Sequence, residues 1–374
     1  MLSWIEIDAQ RLRSNIDAFR AATAAGTTLM VVVKANAYGH GLQVVAPIAA
    51  ERADWLGVNC IDEAVEITRL GIRKPVVILG HTPADQLEIA VANGYRQVLY
   101  RMDVAQGLSQ AAAKLGVAAK AHLKIETGTN RQGIPVTQLA SFMRDLAKLP
   151  GLEVEGAYTH FANIEDTLDP SFAQSQIQKF REALGILERA GIRPVHAHAS
   201  ATAGALLYAE MDFTMIRLGI GTYGIWPSRE TQLAARERAR QLSLAPILTW
   251  KTRAAQVKDV NAGDYVGYGL TYRASRPMKL VVLPIGYYDG YDRKLSNSGR
   301  ALIRGQFAPV VGRVAMNMTM LDVTDVGADL DDEVVLIGRQ GNAEIRVEEL
   351  AEKIGTISYE VVARINPLIP RVLL

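Results

Sequence analysis

An α/β fold is predicted for this sequence: an N-terminal (β/α)8 barrel of the TIM type followed by a mostly β C-terminal domain. Three observations predict it. Eight strand-like runs alternate with helix-like segments through the first part of the chain. Several of these runs are too apolar to face water, as expected of parallel strands covered on both faces. Beyond residue 229 the texture changes to short β-rich runs separated by Asn/Gly/Asp turns. A length of 374 residues suits one barrel of roughly 250 residues and a smaller domain. The expected division is 1–235 and 236–374, and the first few residues are allowed to pack with the second domain.

In chain order, residues 3–7 alternate as a short strand, and Asp8 can cap a helix running to about residue 24. Barrel strands are expected at 28–34, 55–59, 75–79, 97–100, 120–126, 153–161, 195–199 and 213–218. Helices are expected near 40–53, 62–70, 84–92, 104–115, 136–148, 171–190 and 201–209, long enough to connect parallel strands. A polar, helix-compatible stretch at 230–241 serves as a linker. Strand-like runs then follow at 250–257, 280–285, 308–314, 320–323 and 333–337, with turns at 261–264, 298–299 and 341–342, so this part reads as all β.

Composition narrows the function. Hydrophobic residues at 49% and charged residues at 21% describe an ordinary soluble globular protein. A net charge of +2, without a Lys/Arg block, argues against nucleic acid or a membrane surface as partner. The single cysteine, Cys60, excludes an internal disulfide framework and a cysteine zinc site, and no metal is expected. No run reaches transmembrane length and the first residues carry Glu6 and Asp8, so a cytoplasmic protein is expected.

The chain is organised around residues 29–41. Leu29 to Val33 is an unbroken apolar, mostly β-branched run, and Lys34 ends it. A lysine does not belong in a sealed apolar interior, so it emerges at the strand's carboxyl end or is held there for chemistry. In a barrel, strand carboxyl ends and the loops after them form the active site. Read so, the chain presents Lys34 and Tyr38 after the first strand, Lys124 and Arg131 around the fifth, His160 after the sixth, Ser200 after the seventh, and Arg217 with Gly219 after the eighth. Taken singly, His160 fits an interior histidine and Arg217 a salt-bridged arginine; together they mark a site. The G-x-G-x-x-G at 219–224 follows the last barrel strand instead of opening a Rossmann unit. It reads better as an anion cup, with the N–H groups of Gly219 and Ile220 joined by the Ser200 hydroxyl. A lysine and a phosphate cup in one barrel mouth point to pyridoxal 5'-phosphate, whose aldehyde needs a Schiff-base lysine.

The segment Val32-Val33-Lys34-Ala35-Asn36-Ala37-Tyr38-Gly39-His40-Gly41 closely resembles the pyridoxal-phosphate lysine motif of bacterial alanine racemases. The resemblance extends over essentially the whole chain, through Thr159-His160-Phe161, Arg217-Leu218-Gly219, Gly267-Tyr268-Gly269, Pro284-Ile285-Gly286-Tyr287, Gly312-Arg313-Val314-Ala315-Met316 and Ser358-Tyr359-Glu360. It implies a racemase that interconverts L- and D-alanine, with Lys34 holding the cofactor and exchanging a proton on one face of the substrate's Cα. Tyr268 would serve the opposite face, since a proton removed from one side must return from the other. In this family the tyrosine comes from the partner subunit, so a homodimer with shared sites is implied. His160 and Arg217 would adjust that phenol, which is a poor base at its ordinary pKa.

Arg217 would also face the cofactor's ring nitrogen. A guanidinium keeps its proton, which weakens the ring as an electron sink and disfavours transamination. Tyr38, Ser200, Tyr359 and the N–H groups of Gly219 and Ile220 would hold the phosphate, and Arg131 and the Met316 backbone the substrate carboxylate. Lys124 aligns with a lysine that is carbamylated in many relatives. The sequence departs from the usual family pattern at Glu126-Thr127-Gly128-Thr129-Asn130-Arg131, at Ala199-Ser200 and at Ala315-Met316-Asn317. Ala315 opens the possibility of a side chain larger than methyl, hence a broader-specificity amino-acid racemase. Two other readings compete. A pyridoxal-phosphate decarboxylase would use an acidic partner for the ring nitrogen and has no need of Tyr268; a non-catalytic cofactor carrier would lack the second domain.

Overall fold

A computed structural model of the chain describes residues 1–237 and 242–374. The end of the expected linker, 238–241, lies outside the described residues; the part before it forms the helix Arg229–Glu237. The strands are β1 Ser3–Ile7, β2 Thr28–Val32, β3 Trp55–Val58, β4 Val76–Ile78, β5 Arg96–Leu99, β6 Ala119–Glu126, β7 Ile134–Pro135, β8 Leu152–Tyr158, β9 His196–His198 and β10 Met215–Leu218, then β11 Leu248–Arg253, β12 Gln256–Val260, β13 Met278–Leu283, β14 Arg300–Ile303, β15 Gln306–Pro309, β16 Thr319–Asp322, β17 Glu333–Gln340, β18 Ala343–Ile345 and β19 Arg371–Leu373.

All eight expected barrel strands are present. They run parallel in the order β10-β2-β3-β4-β5-β6-β8-β9, with β7 beside β6. Thr214 N donates to Ala197 O at 3.1 Å and Arg217 N to Ser200 O at 3.0 Å, which ties the last strand to β9 and closes the ring. Part of the interior is apolar, packed by Met30, Trp55, Val77, Val98 and Met215 against Tyr158. That is the filling expected of a barrel core.

Two compact units divide the chain, and neither is contiguous in sequence. One contains Leu12–Ala35 and Val45–Leu244, the barrel; the other contains Met1–Arg11, Asn36–Val44 and Ala245–Leu374. The β-rich unit thus takes in the first residues, as the expectation allowed, and also Asn36–Val44. The reason is hydrogen bonding. β1 pairs antiparallel with β11 and parallel with β19 inside a sheet of order β15-β14-β17-β11-β1-β19, with β18 on β17. A second sheet, β12-β13-β16, carries its own apolar cluster of Val260, Val266, Met278, Leu280 and Met320.

Residues 250–257 do not form one strand as expected. The chain changes sheets at two alanines, where Ala254 N bonds Asp332 O and Ala255 N bonds Val282 O. The unit is also not all β. Helices Val347–Ile354 and Ser358–Ala363 close it, the first burying Val347, Leu350, Ala351 and Ile354, an apolar set at helical spacing.

Candidate active site

β6 builds one wall of the barrel mouth. Its residues alternate between the helix side, with Ala121, Leu123 and Ile125, and a polar inward row of Lys120, His122, Lys124 and Glu126. Lys124 is buried, donates to Gln132 Oε1 at 3.1 Å and lies 5.5 Å from the centre of the Tyr158 ring. Burial first, then the charges of Arg131 and Arg217, lowers its pKa to about 8. The Glu126 carboxylate turns the following loop by accepting from Gly128 N and Thr129 Oγ1, and Asn130 takes the left-handed conformation before the exposed Arg131.

Arg217, on β10, is almost fully buried. Its NH1 donates to His198 Nδ1 at 2.8 Å and His198 O at 3.1 Å; its NH2 donates to Ala199 O at 2.8 Å, Thr159 O at 2.9 Å and His160 Nδ1 at 3.3 Å. Every one of these acceptors is neutral, so the guanidinium's charge is held without being cancelled by them. Its Cζ also lies 5.0 Å from the Tyr158 ring centre. His160 is forced neutral, its pKa well below the ordinary value, by burial first and then by Arg217, Arg131, Lys124 and Lys34.

Lys34 follows β2 and opens an unusual turn. Ala35, Asn36, Ala37 and Tyr38 all have φ between 52° and 54°, one turn of left-handed helix. Each L-residue there costs roughly 1–2 kcal/mol, so the surroundings must hold it. Glu63 Oε1 accepts from Ala35 N at 2.6 Å while its other oxygen accepts from Asn59 N, and Tyr223 donates to Val32 O at 2.9 Å. Further along, Asn36 receives Leu42 N on its side chain and Gly41 N on its carbonyl. Gly39 has φ 81°, and a Cβ there would overlap Val362 O, so only glycine fits. The Lys34 amine is lowered in pKa by burial first and then by Arg131, with Glu63 opposing and Arg217 assisting.

The cup at the last two strands is present in outline. Ser200 is fully buried, and Gly204 leaves it room, since a Cβ at 204 would lie 2.9 Å from Ser200 Oγ. Its hydroxyl donates to Met211 O at 2.9 Å, and Gly219 N donates to Thr202 Oγ1 at 3.1 Å. Ile220 starts a short 3-10 turn ending at Tyr223. Thr202 is thus a polar member of this cup that the sequence reading missed. So are His198, Tyr158 and His122 on the inner wall; the alternating polar row in β6 and the His-x-His of β9 were their signal.

The barrel unit brings together Lys34, Lys124, Arg131, His160, Ser200, Arg217, Gly219 and Ile220. The remaining expected residues lie in the β-rich unit. Tyr38 and Tyr359 approach with ring centres 6.2 Å apart. Tyr268 is 73% exposed on a short turn that needs glycine on both sides: Gly267 has φ 75° and Gly269 has φ 71°. Met316 is also exposed, and its carbonyl accepts from Tyr288 N at 3.0 Å.

A parallel (β/α)8 barrel with a lysine, a buried guanidinium and a glycine-lined cup at its strand ends, in a chain that also builds a β-rich unit, marks the two-unit barrel class of proteins. The family described as "Alanine racemase, N-terminal domain" matches residues 7–227, and "Alanine racemase, C-terminal domain" matches residues 247–373. The chain belongs to the alanine racemase family. It is 41% identical to an alanine racemase of Symbiobacterium thermophilum over 371 residues, covering 99% of this chain and 96% of that protein. Among solved structures, an alanine racemase of Bacillus anthracis with bound L-Ala-P has a TM-score of 0.93 at 32% identity, covering 100% of this chain and 95% of that one. A histidine racemase from Leuconostoc mesenteroides subsp. sake has a TM-score of 0.90 at 28% identity, covering 100% and 98%. Among the described residues no helix is long and apolar enough to cross a membrane.

Proposed function

We propose that this enzyme interconverts the L- and D-forms of a small amino acid, alanine first, with pyridoxal 5'-phosphate as cofactor and Lys34 and the partner subunit's Tyr268 as the two proton-handling groups. The observation that carries the reading is the cationic barrel mouth. Lys34, Lys124, Arg131 and Arg217 lie close enough for their charges to act on one another and on His160. Such a cluster suits a phosphate and a carboxylate brought in by cofactor and substrate. Bound pyridoxal phosphate supplies the electron sink that makes the amino acid's Cα–H acidic. We assign its phosphate to Ser200, Gly219 and Ile220 together with the Tyr38 and Tyr359 pair, and its ring nitrogen to Arg217. Arg131 and the Met316 backbone take the substrate carboxylate.

The residues divide the work by face. Lys34 Nζ, kept ready to lose its proton by burial and by Arg131, removes or returns hydrogen on one face of Cα. The Tyr268 hydroxyl does the same on the other. Arg217 keeps its own proton, so it can only donate toward a ring nitrogen. The homodimer is part of the same proposal. Tyr265, Tyr268, Leu270, Tyr287, Tyr288 and Met316 are all exposed on the β-rich unit, and aromatic and methionine side chains are enriched at interfaces. A cytoplasmic location belongs with it.

Incubation with L-alanine in deuterated water tests the proposal. Loss of optical rotation with deuterium entering Cα is expected; carbon dioxide release, or neither change, sinks it. Ala315, together with a histidine racemase of the same fold, favours breadth beyond alanine. A panel of L-amino acids should therefore show racemisation of substrates larger than alanine.

A further inference from the structure

We infer that Glu155, His122 and His198 form a directed chain through the barrel interior whose task is to position Arg217, and that His122 and Glu155 are positioning residues of this enzyme. The consequence for catalysis rests on the proposed role of Arg217; the chain itself does not.

Its direction follows from one group that can only donate. A guanidinium has no acceptor, so His198 Nδ1, 2.8 Å from Arg217 NH1, must accept and carries no proton. Neutral His198 then carries its proton on Nε2 and donates to His122 Nδ1 at 2.9 Å. His122 in turn has its proton on Nε2, which faces Glu155 Oε2 at 3.8 Å. That last gap is too long for a hydrogen bond, so the N–H meets the carboxylate as a dipole meets a charge. Glu155 is fixed independently, bidentate to Arg96 at 2.7 and 3.1 Å and bonded to Lys120 at 3.0 Å. The rings of His122 and His198 are fully buried, and Tyr158 stacks on His198 with centroids 4.8 Å apart. Burial acts to raise the Glu155 carboxyl, but His122, Arg96 and Lys120 more than offset it and keep it ionised.

Two features of the backbone make room for this arrangement. β6 and β8 pair Ala121 with Val154 and then His122 with Gly156, so Glu155 is an extra residue, a bulge that re-aims the strand at this point. At Gly156 a Cβ would lie 2.5 Å from His122 Nδ1, so the ring occupies the space a side chain would need. A barrel interior is ordinarily filled by branched apolar residues. Burying two imidazoles and a carboxylate instead is costly unless each is partnered; here the His198 and His122 Nδ1 contacts lead to Arg217, and His122 Nε2, buried without a hydrogen bond, is met only by the Glu155 charge. Through them the negative charge at Glu155 makes His198 Nδ1 a better acceptor and holds the guanidinium in one plane.

Nitrogen-15 labelling of the histidines and long-range proton–nitrogen correlation on the holoenzyme resolves this. The chain has six histidines; His122 and His198 should both be neutral with Nε2 protonated and Nδ1 bare. His122→Phe keeps a ring but removes both nitrogens. It should shift the His198 nitrogen signals and lower kcat roughly tenfold to a hundredfold, with KM for the amino acid little changed. His122→Gln, which can accept from His198 Nε2–H, should restore most of the rate. Gly156→Ala, which displaces the ring without deleting a polar group, should act like His122→Phe in weaker form. A proton on Nδ1 of either histidine overturns the inference, as does His122→Phe with wild-type kcat and unmoved His198 signals. Should His122→Phe fail to fold, the wild-type spectrum and Gly156→Ala decide. The nitrogen measurement needs no turnover, so correct tautomers in a protein without racemase activity would defeat the proposed function and leave the chain standing.

Discussion

At Lys34, burial and the nearby guanidinium of Arg131 act in the same direction, and the amine becomes easier to deprotonate than a surface lysine. Lys34→Ala should remove both the lysine-dependent absorbance band near the visible edge and all racemisation; a surviving band would place the cofactor's attachment elsewhere. Lys124 raises a different question, because a buried amine with pKa about 8 among other cations is poised to give up its charge. We predict that it takes up carbon dioxide, its neutral nitrogen bonding the carbon and releasing a proton, so that a cation becomes an anion beside Arg131. Carbon-13 bicarbonate should give a protein-bound carbamate signal that Lys124→Met lacks. The alternative leaves a distinct trace. An unmodified Lys124 is deprotonated in the folded state above about pH 8, while the unfolded chain keeps that proton to its ordinary value near 10.5. The unfolded state then binds more protons in that window, so stability would rise from pH 8 to 10.5. A Lys124-dependent rise in denaturation midpoint over that range would reject the carbamate. Lys34 and Arg217 were legible in the sequence because a charge at the end of an apolar strand needs an explanation. His198, His122 and Tyr158 were not, because a residue inside a strand announces its face only through period-two alternation, and the row Lys120, His122, Lys124, Glu126 makes sense only once that face is known to be the barrel interior.

The same difference separates elements that were legible from those that were not. Several barrel strands announced themselves as apolar runs between turn residues, because parallel strands are covered on both faces; β6 announced itself by alternation instead. The left-handed turn after Lys34 did not, since Ala35, Ala37 and Tyr38 have no propensity for it; only Asn36 and the two glycines hinted at positive φ. Tertiary bonds hold it, from Glu63 on one side and from the carbonyls met by Arg371, which donates to Gly39 O at 2.7 Å. Gly39→Ala should therefore cost at least about 2 kcal/mol, by strain at φ 81° and overlap with Val362 O. It should also loosen the cofactor, visible as a drop in both melting temperature and cofactor content. Unchanged values would mean that the turn is not held as its hydrogen bonds indicate. The closing helices were hidden differently: Val347, Leu350, Ala351 and Ile354 have helical spacing, but they follow a run of turns and strands that set the expectation for the whole region.

For the whole molecule, the decisive question is where the second base comes from. Tyr268 stands 73% exposed, as a side chain that serves a partner's site would. If each site takes Lys34 from one subunit and Tyr268 from the other, two inactive variants should rescue one another. In a mixed dimer of Lys34→Ala and Tyr268→Phe chains, one site would have neither group and the other would have both. Random pairing of equal amounts makes about half the dimers mixed, so about a quarter of the wild-type sites should regain activity. Sites built within a single chain would regain none, because each variant would carry its defect into every site it owns. Tyr268→Phe alone sharpens the point. In single-turnover isotope exchange it should impair proton removal from the L-substrate more directly than from the D-substrate, since only one face has lost its base. Equal impairment in both directions would mean that one group serves both faces, and inversion would then require the substrate to turn within the site.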